Sequence, residues 1–356
     1  MNQIFQKVPG ALPVSVGMAV LIGAGLMLTG SGELASNPGA PSNRHAADRQ
    51  LIVIAAPSVK DKYYKKHFDK IIDFDVRMAR AVMGKDNIVV LVDADTMPYL
   101  EKRLPADVLL EAEVSDIWLR DFGSVHPERM VQFQYDRPRE RYVQKSLRAL
   151  IDRFGLDIKR SRLKVDGGNV VDNAGDSVIL TEKVFERNRR MNEDAVFDTL
   201  QRTLGAKQIA FIPMDDEYLG HSDGMVMFLG PRKVLVNRYR SDPKFGAEVK
   251  RALREGLPGV TISEIDGEGY GEQYGRFASA CGIYVNSTVT YRHIYTPTFG
   301  DGKDGPALRT IQSGTRKQVV PIQAREVCKL GGSVRCLSWQ LTGENARKLI
   351  EAARRY

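Results

Sequence analysis

The chain has few cysteines, and it lacks the P-loop motif that binds nucleotide phosphates in many enzymes. Its 356 residues include three cysteines, Cys281, Cys328 and Cys336, too few for a disulfide-built scaffold and odd in number. GxxxxGK[ST] does not occur, and no nucleotide cofactor is expected. The five histidines lack paired ligand spacing and the cysteines form no CxxC, so no metal site is predicted. The strand–GxSxG–helix elbow of one large class of serine hydrolases is missing as well, because the GxSxG match from Gly220 to Gly224 precedes an apolar strand-like run, Met225–Leu229, where the elbow requires a helix.

Positive charge exceeds negative charge only modestly. The formal net charge is +8, and it is spread along the chain apart from short clusters such as Arg187 to Arg190. No stacking motif or basic helix accompanies it, so nucleic acid is not an expected partner.

The N-terminal region differs in composition from the rest of the chain. Lys7 precedes an uncharged apolar run from about Ala11 to Thr29. A positive start, an apolar stretch and small residues after it are typical of a secretory signal, and the length also fits a membrane anchor. We therefore predict a signal peptide or anchor over residues 1–36, a polar linker over 37–49 and one domain over 50–356. Export is expected, with membrane contact only through the N-terminal segment; the oligomeric state is left open.

Short apolar runs alternate with amphipathic stretches across the remaining 300 or so residues. This alternation predicts an α/β architecture. The predicted strands are Leu51–Ala55, Asn87–Val92, Ser177–Leu180, Gln208–Ile212, Met225–Leu229, Lys233–Asn237, Gly282–Val289 and Val319–Ile322. The predicted helices are a first one from about Phe68 to Val82, then Asp194–Leu204, Gly246–Arg254 and Glu344–Arg354.

Four short segments combine glycine with acidic residues, histidine, asparagine or cysteine. They run from Asp116 to Gly123, Asp166 to Asn169, Gly220 to Gly224 and Gly331 to Cys336. Each has an ordinary explanation when taken alone. His221 and Asp223 fit a hydrogen-bonded turn, Arg120 and Asp121 fit a surface ion pair, and a buried cysteine is usually a small hydrophobe.

Together these residues form a chemically coherent set. A nucleophilic thiol needs a nearby histidine to move protons and a group that fixes the electrophile. Two carboxylates suit an electrophile that is a cation, and a guanidinium matches carboxylates in bidentate geometry. On a strand, His221 and Asp223 would project from the same face. The set therefore predicts attack of Cys336 on a guanidinium held by Asp121 and Asp223.

The order of these motifs resembles that of the guanidino-group-modifying superfamily. Trp118 to Asp121, Gly167 to Asn169, Gly220 to Gly224, Asn286 before Thr296 to Asp301, and Gly331 to Cys336 follow the same sequence. More narrowly, they resemble the agmatine deiminases and bacterial (Porphyromonas-type) peptidylarginine deiminases over nearly the whole domain. The resemblance implies a pentein fold, in which five αββαβ units form a pseudo-symmetric propeller around a central site.

The resemblance also implies residue roles. Cys336 is the expected nucleophile and His221 the general acid/base, with Asp121 and Asp223 as guanidinium clamps. Asn286 corresponds to an active-site asparagine, Trp118 is expected to pack on the substrate's methylene stem, and Asn169 is a further substrate-binding candidate. The implied reaction passes through a covalent thiouronium, releases ammonia and a ureido product such as citrulline, and needs no cofactor.

One position departs from the pattern of many relatives. They carry histidine directly before the nucleophile, whereas this chain has Arg335. On a strand this side chain would point away from Cys336, so we expect the change to be tolerated.

The choice of substrate depends on a basic segment. Arg137 and Arg139 resemble arginines that hold substrate carboxylate and carbonyl groups in bacterial peptidylarginine deiminases, a task that suits the guanidinium fork. An ordinary solvated loop is the plain alternative. With export, these arginines favour peptidyl-arginine, preferably C-terminal, as substrate. The alternatives are a small-guanidine deiminase that converts agmatine to N-carbamoylputrescine, and a guanidinium-binding propeller without turnover.

Overall fold

The computed structural model describes residues 42–355 apart from 45, 136–140, 216–217, 272 and 276. The predicted signal or anchor, residues 37–41 of the predicted linker, and Arg137 and Arg139 lie outside the described residues. A compact unit spans Pro41–Tyr356. Within the described part of the chain, no helix has the length and apolar character that crossing a bilayer requires.

Strands and helices alternate along the described chain, as predicted. The strands are β1 (Leu51–Ala55), β2 (Asn87–Val92), β3 (Leu109–Glu111), β4 (Val131–Gln134), β5 (Lys159–Lys164), β6 (Val171–Asp172), β7 (Ser177–Thr181), β8 (Gln208–Ile212), β9 (Val226–Gly230), β10 (Lys233–Asn237), β11 (Thr261–Ile265), β12 (Thr288–Val289), β13 (His293–Thr298), β14 (Gln318–Gln323) and β15 (Trp339–Leu341). The helices are α1 (Phe68–Val82), α2 (Leu119–Phe122), α3 (Arg141–Arg153), α4 (Lys183–Arg187), α5 (Glu193–Leu204), α6 (Pro243–Gly256), α7 (Asp304–Gly314) and α8 (Gly343–Ala353).

These strands form five small sheets, one per structural unit. Their strand orders are β15-β1-β2-β3, β4-β5, β6-β7-β8, β11-β10-β9 and β12-β13-β14. In each unit a parallel pair is joined by a helical crossover: β1 and β2 by α1, β4 and β5 by α3, β7 and β8 by α4 and α5, β10 and β11 by α6, and β13 and β14 by α7.

An antiparallel partner completes each unit. In four units it is a strand, β15, β6, β9 or β12, and in the β4 unit it is a single bridge between Val125 and Val131. The same strand–helix–strand plan therefore recurs five times, although the sequences of the units do not visibly repeat.

Local sequence explains where the crossover helices begin and which face they bury. Asn192 caps α5 and Asp242 caps α6, each side chain accepting a hydrogen bond from a backbone N–H three residues on. Pro243 occupies the first turn of α6, where its missing N–H costs nothing. Helix α1 buries its apolar face, including Ile71 and Val82, against the β1 sheet.

Two sequence-based boundaries differ from the structure. The predicted strand Gly282–Val289 is mostly a turn-rich segment, and only Thr288–Val289 pairs, with β13. The compact body also starts before the predicted boundary at residue 50. Asn43 is fully buried and exchanges hydrogen bonds with the backbone of Ile88 at 2.8 and 2.9 Å, so part of the predicted linker packs on β2.

Cys281 and Cys328 form a disulfide across 47 residues of sequence. Sequence spacing alone left this pairing open. The bridge joins the segment before Asn286 to the short 3-10 turn Cys328–Leu330 that precedes Gly331. Cys336 is the one free cysteine.

Candidate active site

The five connections between successive units each supply a side chain to one site. Asp121 lies between β3 and β4, Asp166 between β5 and β6, and His221 between β8 and β9. Asn286 lies between β11 and β12, and Cys336 between β14 and β15. The pseudo-symmetric arrangement explains how residues separated by more than 200 positions meet.

Cys336 lies in a turn that precedes β15. Gly331 has φ of 102°, a left-handed conformation that favours glycine. A Cβ on Gly332 would fall 3.1 Å from the Cys336 sulfur and 2.5 Å from the Trp118 ring. The glycine pair therefore turns the chain and leaves the thiol accessible between the loop and the indole ring.

Asn286 holds the thiol from one side. Its Nδ2 donates to the Cys336 sulfur at 3.1 Å and to the Asp223 carbonyl at 3.3 Å. Its Oδ1 accepts from the Ser333 hydroxyl at 2.9 Å and from the Cys336 backbone N–H at 3.4 Å. One buried amide thus fixes the position of the nucleophile relative to the turn that carries Asp223.

The thiol faces carboxylates. The Cys336 S–H lies 4.0 Å from Oδ2 of Asp223, a side chain that is 1% exposed. Burial and the negative charges of Asp223 and Asp121 raise the pKa of the thiol well above its ordinary value. In the absence of a bound cation, Cys336 is therefore held as the neutral thiol at neutral pH.

His221 lies between two further carboxylates. Its Nδ1 is 3.7 Å from Oδ1 of Asp121, and its Nε2 is 3.3 Å from Oδ2 of Asp166. Burial lowers the pKa of His221, but Asp121, Asp166 and Asp223 together outweigh it and raise the pKa to about 9. The imidazole is therefore protonated at neutral pH and can act as an acid.

Gly168 makes this arrangement sterically possible. A Cβ at this position would fall 2.4 Å from Nδ1 of His221 and 2.9 Å from Oδ1 of Asp121. Only glycine lets the Asp166 to Asn169 segment approach the imidazole so closely.

His221 and Asp223 are not on a strand, contrary to the prediction. His221 precedes the 3-10 turn Ser222–Gly224, and β9 begins only at Val226. Gly220 has φ of 61°, which lets the chain enter this turn. The two side chains converge on the thiol because of this tight turn, and strand alternation plays no part.

Two cavities meet at the thiol. The first, of about 330 Å³, is lined by the predicted residues Trp118, Asp121, His221 and Cys336. The second, of about 370 Å³, is lined by His221, Asp223, Asn286 and Cys336. The structure thus brings together six of the nine predicted site residues, namely Cys336 and five residues that line the cavities beside its thiol.

The other three predicted residues are placed differently. Asn169 lines neither cavity, and its Oδ1 accepts from the backbone N–H of Thr181 at 2.8 Å and of Ser222 at 3.3 Å. It fixes the turn after His221, and its contact with substrate stays a prediction. Arg137 and Arg139 lie outside the described residues.

Arg335 does not point away from the site, contrary to the prediction. It lies in the turn of Cys336, where strand alternation does not apply, and its Nε is 3.6 Å from Oδ2 of Asp223. Its Nη2 donates to the Val170 carbonyl at 3.0 Å. Arg335 therefore contacts the carboxylate that faces the thiol.

Asp166 is the site residue that the sequence reasoning missed. The Asp166 to Asn169 segment drew notice, but the acid itself received no role. The glycines that follow Asp166 in the sequence could have indicated its role, because glycine permits close approach to another side chain. As for metals, no group of three or more His, Cys, Asp and Glu side chains in the described residues could hold an ion.

A family model for Porphyromonas-type peptidyl-arginine deiminase matches residues 44–341. The agmatine deiminase of Medicago truncatula is 23% identical over 324 residues, covering 74% of this chain and 86% of the relative. The agmatine deiminase of Ectopseudomonas mendocina is 24% identical over 315 residues, covering 74% and 85%.

Solved structures show the same fold. The agmatine deiminase of C. jejuni superposes with a TM-score of 0.68 at 14% identity, covering 85% of this chain and 96% of that one. The predicted pentein fold is confirmed, as is the prediction of a hydrolase that acts on C–N bonds of guanidino or amidine groups. The chain belongs to the Porphyromonas-type peptidyl-arginine deiminase family.

Proposed function

We propose that this protein is a cysteine-dependent deiminase of a small guanidine that carries a second cation, as agmatine does. The observation that supports the chemistry is the meeting of two cavities at the Cys336 thiol, with His221 on both and the carboxylates of Asp121 and Asp223 facing it. The products are ammonia and a ureido compound, which is N-carbamoylputrescine when the substrate is agmatine.

Recognition begins with the charged head of the substrate. Asp121 lines the first cavity and Asp223 the second, and the negative charge of each raises the pKa of the Cys336 thiol. A guanidinium placed between these carboxylates can donate N–H pairs to both. Its central carbon is then presented to Cys336 on the remaining side.

The bound cation activates the nucleophile. Its positive charge offsets the carboxylates that raise the pKa of the thiol, so the thiol proton passes to solvent and a thiolate forms. The thiolate adds to the guanidinium carbon to give a tetrahedral adduct. The His221 imidazolium then protonates one amino group, the C–N bond breaks, and ammonia departs with formation of a thiouronium.

Hydrolysis completes the cycle. The imidazole that gave up its proton takes one from a water molecule, and the resulting hydroxide attacks the thiouronium carbon. The C–S bond breaks as the hydroxyl proton of this adduct passes to the departing thiolate, so the ureido product leaves and Cys336 is again a thiol. No redox step occurs, so this sequence balances without a cofactor.

The first cavity favours a cationic tail. Its described lining contains the aromatic rings of Tyr63, Tyr64 and Tyr142 and the carboxylates of Asp61 and Asp116, and it includes no lysine or arginine. Aromatic faces and carboxylates both attract an ammonium group. The names of the curated relatives favour agmatine in the same way.

Peptidyl-arginine is the second candidate. Arg137 and Arg139 follow Tyr135, which lines the first cavity, closely in sequence. Arginines at that place suit a substrate carboxylate and would repel an ammonium. A propeller that only binds guanidinium is the third candidate, and the complete set of Cys336, His221, Asp121 and Asp223 disfavours it.

Export remains part of the proposal. The apolar N-terminal run supports it, and so does the Cys281–Cys328 disulfide, because such bridges persist mainly in oxidising compartments. Cell fractionation checks it, and recovery of the full-length chain in the soluble cytoplasmic fraction contradicts it.

The function is tested by ammonia and ureido release from four compounds: agmatine, free arginine, a peptide ending in arginine and a peptide with internal arginine. Agmatine turnover that disappears in Cys336→Ala supports the proposal. Asp61→Asn should then raise KM for agmatine, whereas Asp198→Asn, at an exposed position on α5, should not. Preference for the C-terminal peptide favours the second candidate. Absence of turnover, with binding retained in the wild type, favours the third.

A further inference from the structure

Arg335 is a buried cation inside the site. Its side chain is 6% exposed, its Nη2 donates to the Val170 carbonyl at 3.0 Å, and its backbone N–H donates to the Asn286 carbonyl at 3.1 Å. Its Nε has no hydrogen-bond partner and lies 3.6 Å from Oδ2 of Asp223. The guanidinium is thus anchored at one end and directed toward the carboxylate at the other.

Asp223 lies between this cation and the nucleophile. Its Oδ2 is 3.6 Å from Nε of Arg335 and 4.0 Å from the sulfur of Cys336. The charged and titratable groups that act on it come from three elements: His221 from its own turn, Arg120 from α2, and Arg335 and Cys336 from the turn before β15. Burial raises the pKa of Asp223, and the cations His221, Arg335 and Arg120 oppose this effect.

The ionisation state of Asp223 decides whether it can hold a substrate. A protonated carboxyl donates one hydrogen bond and cannot grip a guanidinium through both oxygens. A carboxylate that is 1% exposed is neutralised by protonation unless a nearby charge compensates it. The substrate cation itself cannot supply that charge before it binds.

We propose that Arg335 is a positioning residue whose buried guanidinium supplies a fixed positive charge, which holds Asp223 as a carboxylate oriented toward the thiol in the substrate-free protein. This inference rests on the proposed function, because it assigns the clamp role to Asp223. Arginine suits the task because it stays charged over the whole working pH range. The substrate then meets a preformed anion.

Two other cations act on Asp223, and their contacts differ from those of Arg335. His221 lies against the carboxylates of Asp121 and Asp166, and Arg120 is held by other partners. Its Nη2 donates to Gln340 at 3.0 Å and its backbone N–H donates to the Cys336 carbonyl at 3.2 Å. Burial, followed by repulsion from Arg335, lowers the pKa of Arg120 to about 9. The ion pair with Asp223 is formed by Arg335.

The experiment compares Arg335→Met and Arg335→Lys. Both are made on a Cys336→Ala background, and agmatine and arginine binding is measured by calorimetry from pH 5.5 to 9. We expect Arg335→Met to weaken binding of the preferred ligand by at least about tenfold at pH 6, a change of about 1.4 kcal/mol. The loss should shrink as pH rises and Asp223 ionises unaided. Arg335→Lys should keep most of the affinity at every pH.

A double-mutant cycle separates this role from simple support of the loop. Arg335→Met should have little effect on binding when Asp223 is already Asn, because the two residues act as a unit. An equal loss on both backgrounds, or a loss independent of pH, overturns the proposal. Arg335 then only packs the loop, and His221 or Arg120 supplies the charge that holds Asp223 as a carboxylate. Calorimetry does not require turnover, so a protein that binds guanidinium without hydrolysing it refutes the proposed function and not this inference.

Discussion

Opening the Cys281–Cys328 disulfide should weaken both the fold and the substrate site. Cys281 follows the segment that contributes Tyr270 and Gln273 to the second cavity and Phe277 to the first. Cys328 opens the turn directly before Gly331. The Ala280 N–H donates to the Cys328 carbonyl at 2.9 Å, so the two segments are also paired through the backbone. The bridge thus ties the wall of both cavities to the loop of the nucleophile.

The size of the stability effect follows from the loop that the bridge closes. For a separation of 47 residues, chain entropy predicts that the cross-link stabilises the fold by about 4 kcal/mol. Unfolding entropy of about 2.1 cal/mol/K per residue over the compact unit converts this to a fall in Tm of about 6 °C on reduction.

The assay is urea unfolding of the Cys336→Ala variant with and without a phosphine reductant. In this background the bridging residues are the only cysteines, so the difference isolates the cross-link. The Cys281→Ala/Cys328→Ala variant, which keeps Cys336, should also show a raised KM. Two titratable thiols in the unreduced Cys336→Ala protein, or a stability difference below about 1 kcal/mol, would refute this reasoning.

Four further outcomes are expected. Asp166→Asn removes one carboxylate that holds the pKa of His221 near about 9, so the alkaline limb of kcat/KM against pH should move to lower pH; an unmoved limb means that His221 is not the acid. Gly168→Ala places a methyl 2.4 Å from the imidazole and should lower kcat by about 100-fold, with the melting curve as control. Asp75 on α1 is buried, both its carboxylate oxygens lack hydrogen-bond partners, and burial raises its pKa. Its neutral form stabilises the fold at low pH, and this contribution is lost as pH rises. Asp75→Leu should therefore raise the free energy of unfolding, measured in urea, by about 1–3 kcal/mol at pH 8 and by less at pH 4. Calorimetry on Cys336→Ala should find the ureido product bound at least about tenfold more weakly than the substrate.

The meeting of the site residues was predictable because it follows from residue types in a fixed order. Cys336, His221, Asp121 and Asp223 were named from their motifs, and the structure places all four around one thiol. The alternation of apolar runs with amphipathic stretches likewise predicted α1 and seven of the fifteen strands in the described residues, since burial imposes these periods directly.

The geometry inside the motifs was not predictable in the same way. Strand alternation was assumed for His221, Asp223 and Arg335, whereas all three belong to tight turns. In a turn, the direction of a side chain depends on local backbone angles and on what packs against it. The role of Asp166 depends on an imidazole 55 residues away in sequence, and that contact exists only because the connections of two different units meet.

The distribution of charge explains why such a site selects a cationic head group and releases the product once that head is neutral. Asp121, Asp166 and Asp223 raise the proton affinity of His221, and Asp121 and Asp223 raise that of Cys336. Without substrate, Cys336 is therefore a poor nucleophile, whereas His221 readily donates a proton. Under the proposed function, only a bound guanidinium makes Cys336 a good nucleophile, because it brings the positive charge that the thiolate needs. Deimination turns that cation into a neutral urea. The carboxylates then lose the charge they held, while Asp223 keeps its ion pair with Arg335, and the site returns to its original state as the product leaves.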